Sequence, residues 1–126
     1  MTEIMTNNEI DRRVAEAMGA EEWAEPYETG QPRWYFPTFG TSTFCPTSDP
    51  GDAREMVRWA AHERSWSVEV HTFPMGASAT VFRVHPGGID VEIGWSRRWW
   101  EEAGPTADLI ATCEAFLSAC AKEETP

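Results

Sequence analysis

The chain is short of what a membrane segment, a disulfide framework or a nucleic-acid footprint requires. None of its 126 residues fall in an apolar run of about 18, the length a membrane-spanning helix needs. The amino-terminal stretch is polar and acidic and has no secretory h-region, so cytoplasm is the expected compartment. Cysteines number three. Cys113 and Cys120 fall in one expected helix with their Cα atoms about 10 Å apart, too far for a disulfide. All three read as reduced thiols, the helical two as small buried hydrophobes. Basic residues number 10 against 21 acidic ones, a net charge of −11. Direct binding of nucleic acid needs a basic footprint and is not expected.

Catalytic and metal-binding patterns are also missing. No CxxC, HxH or HExxH spacing occurs, and His62, His71 and His85 stand apart, so no metal and no cofactor are expected. There is no GxSxG, no P-loop and no GxGxxG; Gly87-Gly88 reads as a turn. Cys45, in Phe44-Cys45-Pro46, is the one cysteine outside an expected helix, and its Cys-Pro context reads as a packed turn. Glu21-Glu22 and Glu101-Glu102 read as solvated pairs. The chain is therefore read as non-enzymatic.

What is present is a small globular domain. Residues 1–126 read as one compact unit with frayed ends, about 1–5 and 122–126. The hydrophobic fraction is 41% and tryptophans number seven, a high count whose rings cannot all be buried. The charge is uneven: residues 1–28 carry −6, residues 29–98 are neutral, and residues 99–126 carry −5.

Thr6-Asn7-Asn8-Glu9 is a capping box ahead of Ile10, Val14, Ala17 and Met18 at helical spacing, with Gly19 as the stop. Residues 20–32 read as an irregular connector, Arg33–Phe36 as a short strand and 37–48 as an extended loop. Ser48 or Asp49 caps a second helix with Pro50 in its first turn and Ala53, Met56, Val57, Ala60 and Ala61 on its apolar face. The period then changes to two. Trp66, Val68 and Val70 alternate with polar residues. Ala77–His85 forms a second strand whose facing is open between Thr80/Phe82/Val84 and Ala79/Val81. Ile89, Val91, Ile93 and Trp95 alternate with Asp90, Glu92 and Gly94 in a third. Pro74-Met75-Gly76 and Pro86-Gly87-Gly88 are the turns of an antiparallel meander. A last helix starts near Gly104-Pro105-Thr106 with Leu109, Ile110, Cys113, Phe116, Leu117 and Cys120 as its stripe. The fold class is α+β: an antiparallel sheet of three to four strands packed with three helices, mainly on one face.

One cluster stands out. Trp95-Ser96-Arg97-Arg98-Trp99-Trp100 puts three tryptophans and two arginines at the exit of the third strand. Arg and Trp dominate the energetic centres of interfaces, and Arg also stacks on rings and grips carboxylate or phosphate. Trp95, Arg97, Arg98, Trp99 and Trp100 are the candidate site for a partner protein or a nucleotide. The alternative is structural: Trp99 and Trp100 seal the sheet while the arginines offset Glu101 and Glu102. Trp34 and Tyr35 form a second candidate, read more as core and edge than as a stacking platform.

Four stretches resemble the phage ABA sandwich domain family, small proteins of phages and prophages. They are Val14–Gly19, Phe44-Cys45-Pro46-Thr47-Ser48-Asp49, Arg64-Ser65-Trp66-Ser67-Val68-Glu69-Val70, and Thr106–Leu117. Ser65 departs from the family's glycine, and the Trp/Arg cluster is not a family hallmark. The resemblance implies α/β/α sandwich layering, with the first helix or the Trp-rich segment over the second sheet face. It also implies action in the cytoplasm of a bacterial host. On that basis the leading expectation is an accessory binding protein that occupies a host protein's surface, such as a counter-defence inhibitor of the anti-CRISPR kind. A protein that sequesters a nucleotide signal at a homo-oligomer interface is the alternative. An enzyme of unrecognised motif and a virion component are the remaining readings.

Overall fold

A computed structural model of the chain describes residues 5–22, 33–37, 40–87 and 90–124. Helix α1 (Asn7–Ala17) starts where the capping box places it, with Thr6 Oγ1 accepting a hydrogen bond from the Glu9 amide. It ends at Met18, and Gly19 takes a positive φ of 83° that a side chain would disfavour. Helix α2 (Pro50–Arg64) is capped by Asp49, whose carboxylate accepts from the amides of Gly51 and Asp52. Its C-cap residue Ser65 sits in the left-handed region at φ 57°, a conformation that glycine adopts without strain.

The architecture is α+β with two antiparallel sheets of three strands each. The smaller sheet holds β1 (Glu21–Glu22), β2 (Arg33–Phe36) and β3 (Gly40–Thr43). Here the expected loop over 37–48 needs correction: Arg33 pairs with Thr43 and Phe36 with Gly40, so β2 and β3 form a hairpin. Gly40, read as a breaker, instead opens β3, and Pro37 follows directly on β2. The expected connector over 20–32 likewise contributes Glu21 and Glu22 to the β2 edge; its residues 23–32 lie outside the described residues.

The larger sheet is the expected meander, β4 (Trp66–Phe73), β5 (Gly76–Arg83) and β6 (Val91–Trp99), in that spatial order. Ile89, read as its first residue in β6, lies outside the described residues. After β6 come the one-turn helix α3 (Trp100–Ala103), a 3-10 turn at Gly104–Thr106, and α4 (Ala107–Glu124). Helix α4 is described as far as Glu124, and Glu123 in its last turn pairs with Arg83 of β5.

Helix α4 is the centre of the molecule. Ala111, Ala115 and Ala119 recur every four residues, are wholly buried, and lie against the sheet face of Ala77, Ala79, Val81 and Gly94. Small side chains on both sides let helix and sheet approach closely. Of the predicted stripe, Ile110, Cys113 and Phe116 are buried. Phe116 fills the junction with α2 and β4, its ring edge-on to Trp59 at 6.0 Å and to Trp66 at 5.8 Å. The facing of β5, left open by its sequence, is settled: Ala79 and Val81 point inward. Helix α1 rests on α4. Thus α2 and α4 stand on one sheet face, and no helix among the described residues covers the other.

One buried polar link ties the amino-terminal helix to the approach to α2. The amide and hydroxyl of Thr47 donate to Oδ1 and Oδ2 of Asp11, both at 3.0 Å. Burial raises the Asp11 carboxyl above its ordinary value, more than the two Thr47 bonds lower it. A raised native value favours the protonated folded form. Its stabilising contribution is present below the ordinary carboxylate range and is lost as pH climbs through the raised value. Asp11→Asn keeps an acceptor for Thr47 and removes the charge. In urea titrations it should match the parent at pH 4 and gain on it toward pH 7. Asp11→Ala orphans the buried Thr47 amide and should lose about 1–3 kcal/mol at both. Equal pH profiles for the parent and Asp11→Asn would contradict this account.

Candidate functional site

The open face of the meander is made by a bulge. Phe82 pairs with Glu92 but the next residue back, Val81, pairs with Gly94, so Ile93 is the extra residue in β6. Ile93 and Gly94 both turn toward α4 and are buried. From there onward the alternation is inverted. Trp95, expected to share a face with Ile93, points the other way and is 48% exposed. Arg97 and Trp99 follow on that face, about 6.8 Å apart per two residues along the strand.

The arginine lies among three rings. Its Cζ is 5.3 Å from the Trp95 centroid, 5.6 Å from Trp99 and 5.7 Å from Phe73 of β4. Phe73 meets Trp99 edge-on at 5.9 Å. Trp99 is 37% exposed, and no element among the described residues covers the cluster. The ring faces attract the guanidinium electrostatically, which leaves a planar cation framed by apolar surface. The same face carries Ser67, Ser78, Thr80 and Phe82, and at its β4 edge His71 lies 3.8 Å from Glu69.

The remaining candidates go elsewhere. Arg98 is on the α4 face, where its guanidinium grips the Glu114 carboxylate with two nitrogens and Ser96 Oγ donates to the same carboxylate at 3.1 Å. These hydrogen bonds, more than the charge itself, raise the Arg98 pKa and keep it cationic. Arg97 and Arg98 therefore face opposite sides of one strand. Trp100 opens α3: its amide donates to Met75 O and its Nε1 to Phe73 O, both at 3.0 Å, which anchors the helix on the β4–β5 turn. Trp34 is buried at 3% exposure, while Tyr35 points out from the small sheet at 42%. Phe73 was not singled out by sequence, because only the cross-strand register brings it beside Trp99. Glu114 was likewise hidden in an apparently apolar helix.

Two thiols, Cys45 and Cys113, are biased toward the protonated form. Burial, then the charges of Asp11, Asp52 and Asp49, push the Cys45 thiol up, and burial pushes Cys113 far above its usual range. A nucleophilic cysteine needs the opposite. Among the described residues no group of three His, Cys, Asp or Glu side chains is placed to hold a metal ion, and no helix is long and apolar enough to cross a membrane. Comparison with protein-family models, with curated proteins and with solved structures returned no match.

Proposed function

We propose that this chain is a non-enzymatic binding module that docks a partner protein on the open face of β4–β6. One observation carries the reading: Arg97 is stacked among Trp95, Trp99 and Phe73 on a sheet face that no described element covers. Exposed tryptophans around an immobilised arginine combine large apolar area with a low entropy cost on binding, which is the make-up of an interface hot spot. The net charge of −11 adds steering toward a basic partner surface. With the resemblance to the phage family, the partner is a protein of the bacterial host, and occupying its surface is the inhibitory act. The separation of Arg97 from Arg98 leaves a single guanidinium on this face, which favours a protein surface over a nucleotide gripped by two arginines.

The test is comparative capture from bacterial lysate. Trp95→Ala and Arg97→Ala should each release a protein that the parent retains, with Kd weakened about thirty-fold, equivalent to about 2 kcal/mol. Arg58→Ala, an exposed change on α2, should retain it. A protein retained equally by all four forms, or no retained protein at all, refutes docking through this face.

A further inference from the structure

At the end of the open face, where β6 enters α3, the surface folds into a cleft of about 270 Å³. Pro74, Met75, Trp99, Trp100, Glu101 and Glu102 line it. From these residues we infer that the cleft is a receptor for one alkylammonium group, the side-chain terminus of a lysine presented by the partner. The inference deepens the binding-module reading and rests on it for the biological occupant, but the chemistry belongs to the cleft alone.

Three properties define the ligand. The walls include two indoles, whose faces attract a cation through the ring quadrupole; Arg97 Cζ, 5.6 Å from the Trp99 centroid, is a resident example of that attraction. The lining also includes two exposed acidic residues, Glu101 and Glu102. Glu102 also acts on Arg98 electrostatically, so Glu101 is the principal counter-charge, and the two acids outweigh the single unpaired cation nearby, Arg97. The thioether of Met75, 69% exposed, and the ring of Pro74 supply apolar contact for a methylene stem. A lining of indoles, carboxylates and apolar side chains matches a charged head on an aliphatic chain and rejects an anion or a neutral polar group.

The cleft is also pre-shaped. The Trp100 amide and Nε1 are both bonded to the β4–β5 turn, and Phe73 braces Trp99. Little ordering remains when a ligand enters. Sequence alone hinted at the opposite role, since Glu101 and Glu102 read as solvated and as partners for the arginines. Arg98 is instead taken by Glu114.

The experiment titrates the full chain with N-acetyl-lysine methylamide, its trimethylammonium analogue, and a neutral isostere carrying a tert-butyl head. The readout is the indole N–H resonances in heteronuclear NMR. Both cations should shift Trp99 and Trp100 saturably with Kd on the order of 1–10 mM. Tighter binding of the trimethylated form assigns a methylated lysine, and parity or a preference for the plain form assigns an unmodified one. Glu101→Gln should weaken the cation by about two- to five-fold. Arg97→Gln should leave it unchanged or tighten it, the opposite of its effect on partner capture. Equal binding of the neutral isostere, shifts confined to Trp95, or no saturation overturns the inference. Loss of partner capture in Trp95→Ala alongside a silent cleft would sink the cleft alone; a responsive cleft with no captured partner would sink the docking face alone.

Discussion

Gly94→Ala should destabilise the fold by about 3 kcal/mol or more, at the upper end of what overpacking costs. A Cβ on Gly94 would lie 2.2 Å from the carbonyl oxygen of Ala115, 2.8 Å from the amide nitrogen of Ala119 and 2.9 Å from its Cβ. Two of these are backbone atoms in the middle of α4. No rotamer change relieves them, so the helix must lift from the sheet. Lifting it opens the contact of Ala111, Ala115 and Ala119 with Ala77 and Ala79, all wholly buried. It also loosens the grip of Arg98 and Ser96 on Glu114. A urea titration should show the midpoint moved well down with little change in slope. A midpoint held within the equivalent of about 0.5 kcal/mol, the ordinary range for surface substitutions, would mean that α4 does not sit this close to β6.

Phe116→Ala should cost about 3–5 kcal/mol, the usual range for emptying a buried aromatic site. The ring is 1% exposed and joins three elements, with Trp59 of α2 and Trp66 of β4 both edge-on to it. Neither tryptophan can swing into the vacancy easily. Trp66 is fixed by its strand pairing with Arg83, and Arg64 lies over both indoles at 5.6 and 5.8 Å. Phe116→Leu, which keeps most of the volume, should lose far less. Near-ultraviolet circular dichroism should change in the alanine variant, because both neighbouring indoles lose their ordered partner. A small loss, or a loss equal in the two variants, would place the ring away from this junction.

These two positions were not equally legible. Phe116 was readable as core because it recurs with Ile110 and Cys113 at helical spacing. Gly94 looked like one polar-side position of an alternating strand. The same contrast runs through the fold. The helix starts at Thr6 and at Ser48 or Asp49 are legible, since capping depends on a few adjacent side chains, and the structure selects Asp49. The three meander strands were plain too, because period two and short turns are local properties. Of the small sheet, Arg33–Phe36 is readable as a strand, but its partners Glu21–Glu22 and Gly40–Thr43 are not, because they lie in stretches dense in Pro and Gly, where pairing partners rather than propensity decide the strand.

Local sequence by itself determined most of the helices, the meander and the presence of an unusual Trp/Arg segment, because each depends on the chemistry of neighbours along the chain. Tertiary packing decided which way that segment faces. The extra residue at Ile93 brings Gly94 beneath α4 and reverses the alternation beyond it, so Trp95, Arg97 and Trp99 emerge on the face away from α4 while Arg98 is drawn in to Glu114. A strand's period is written in its residues, but its phase is set by what it packs against.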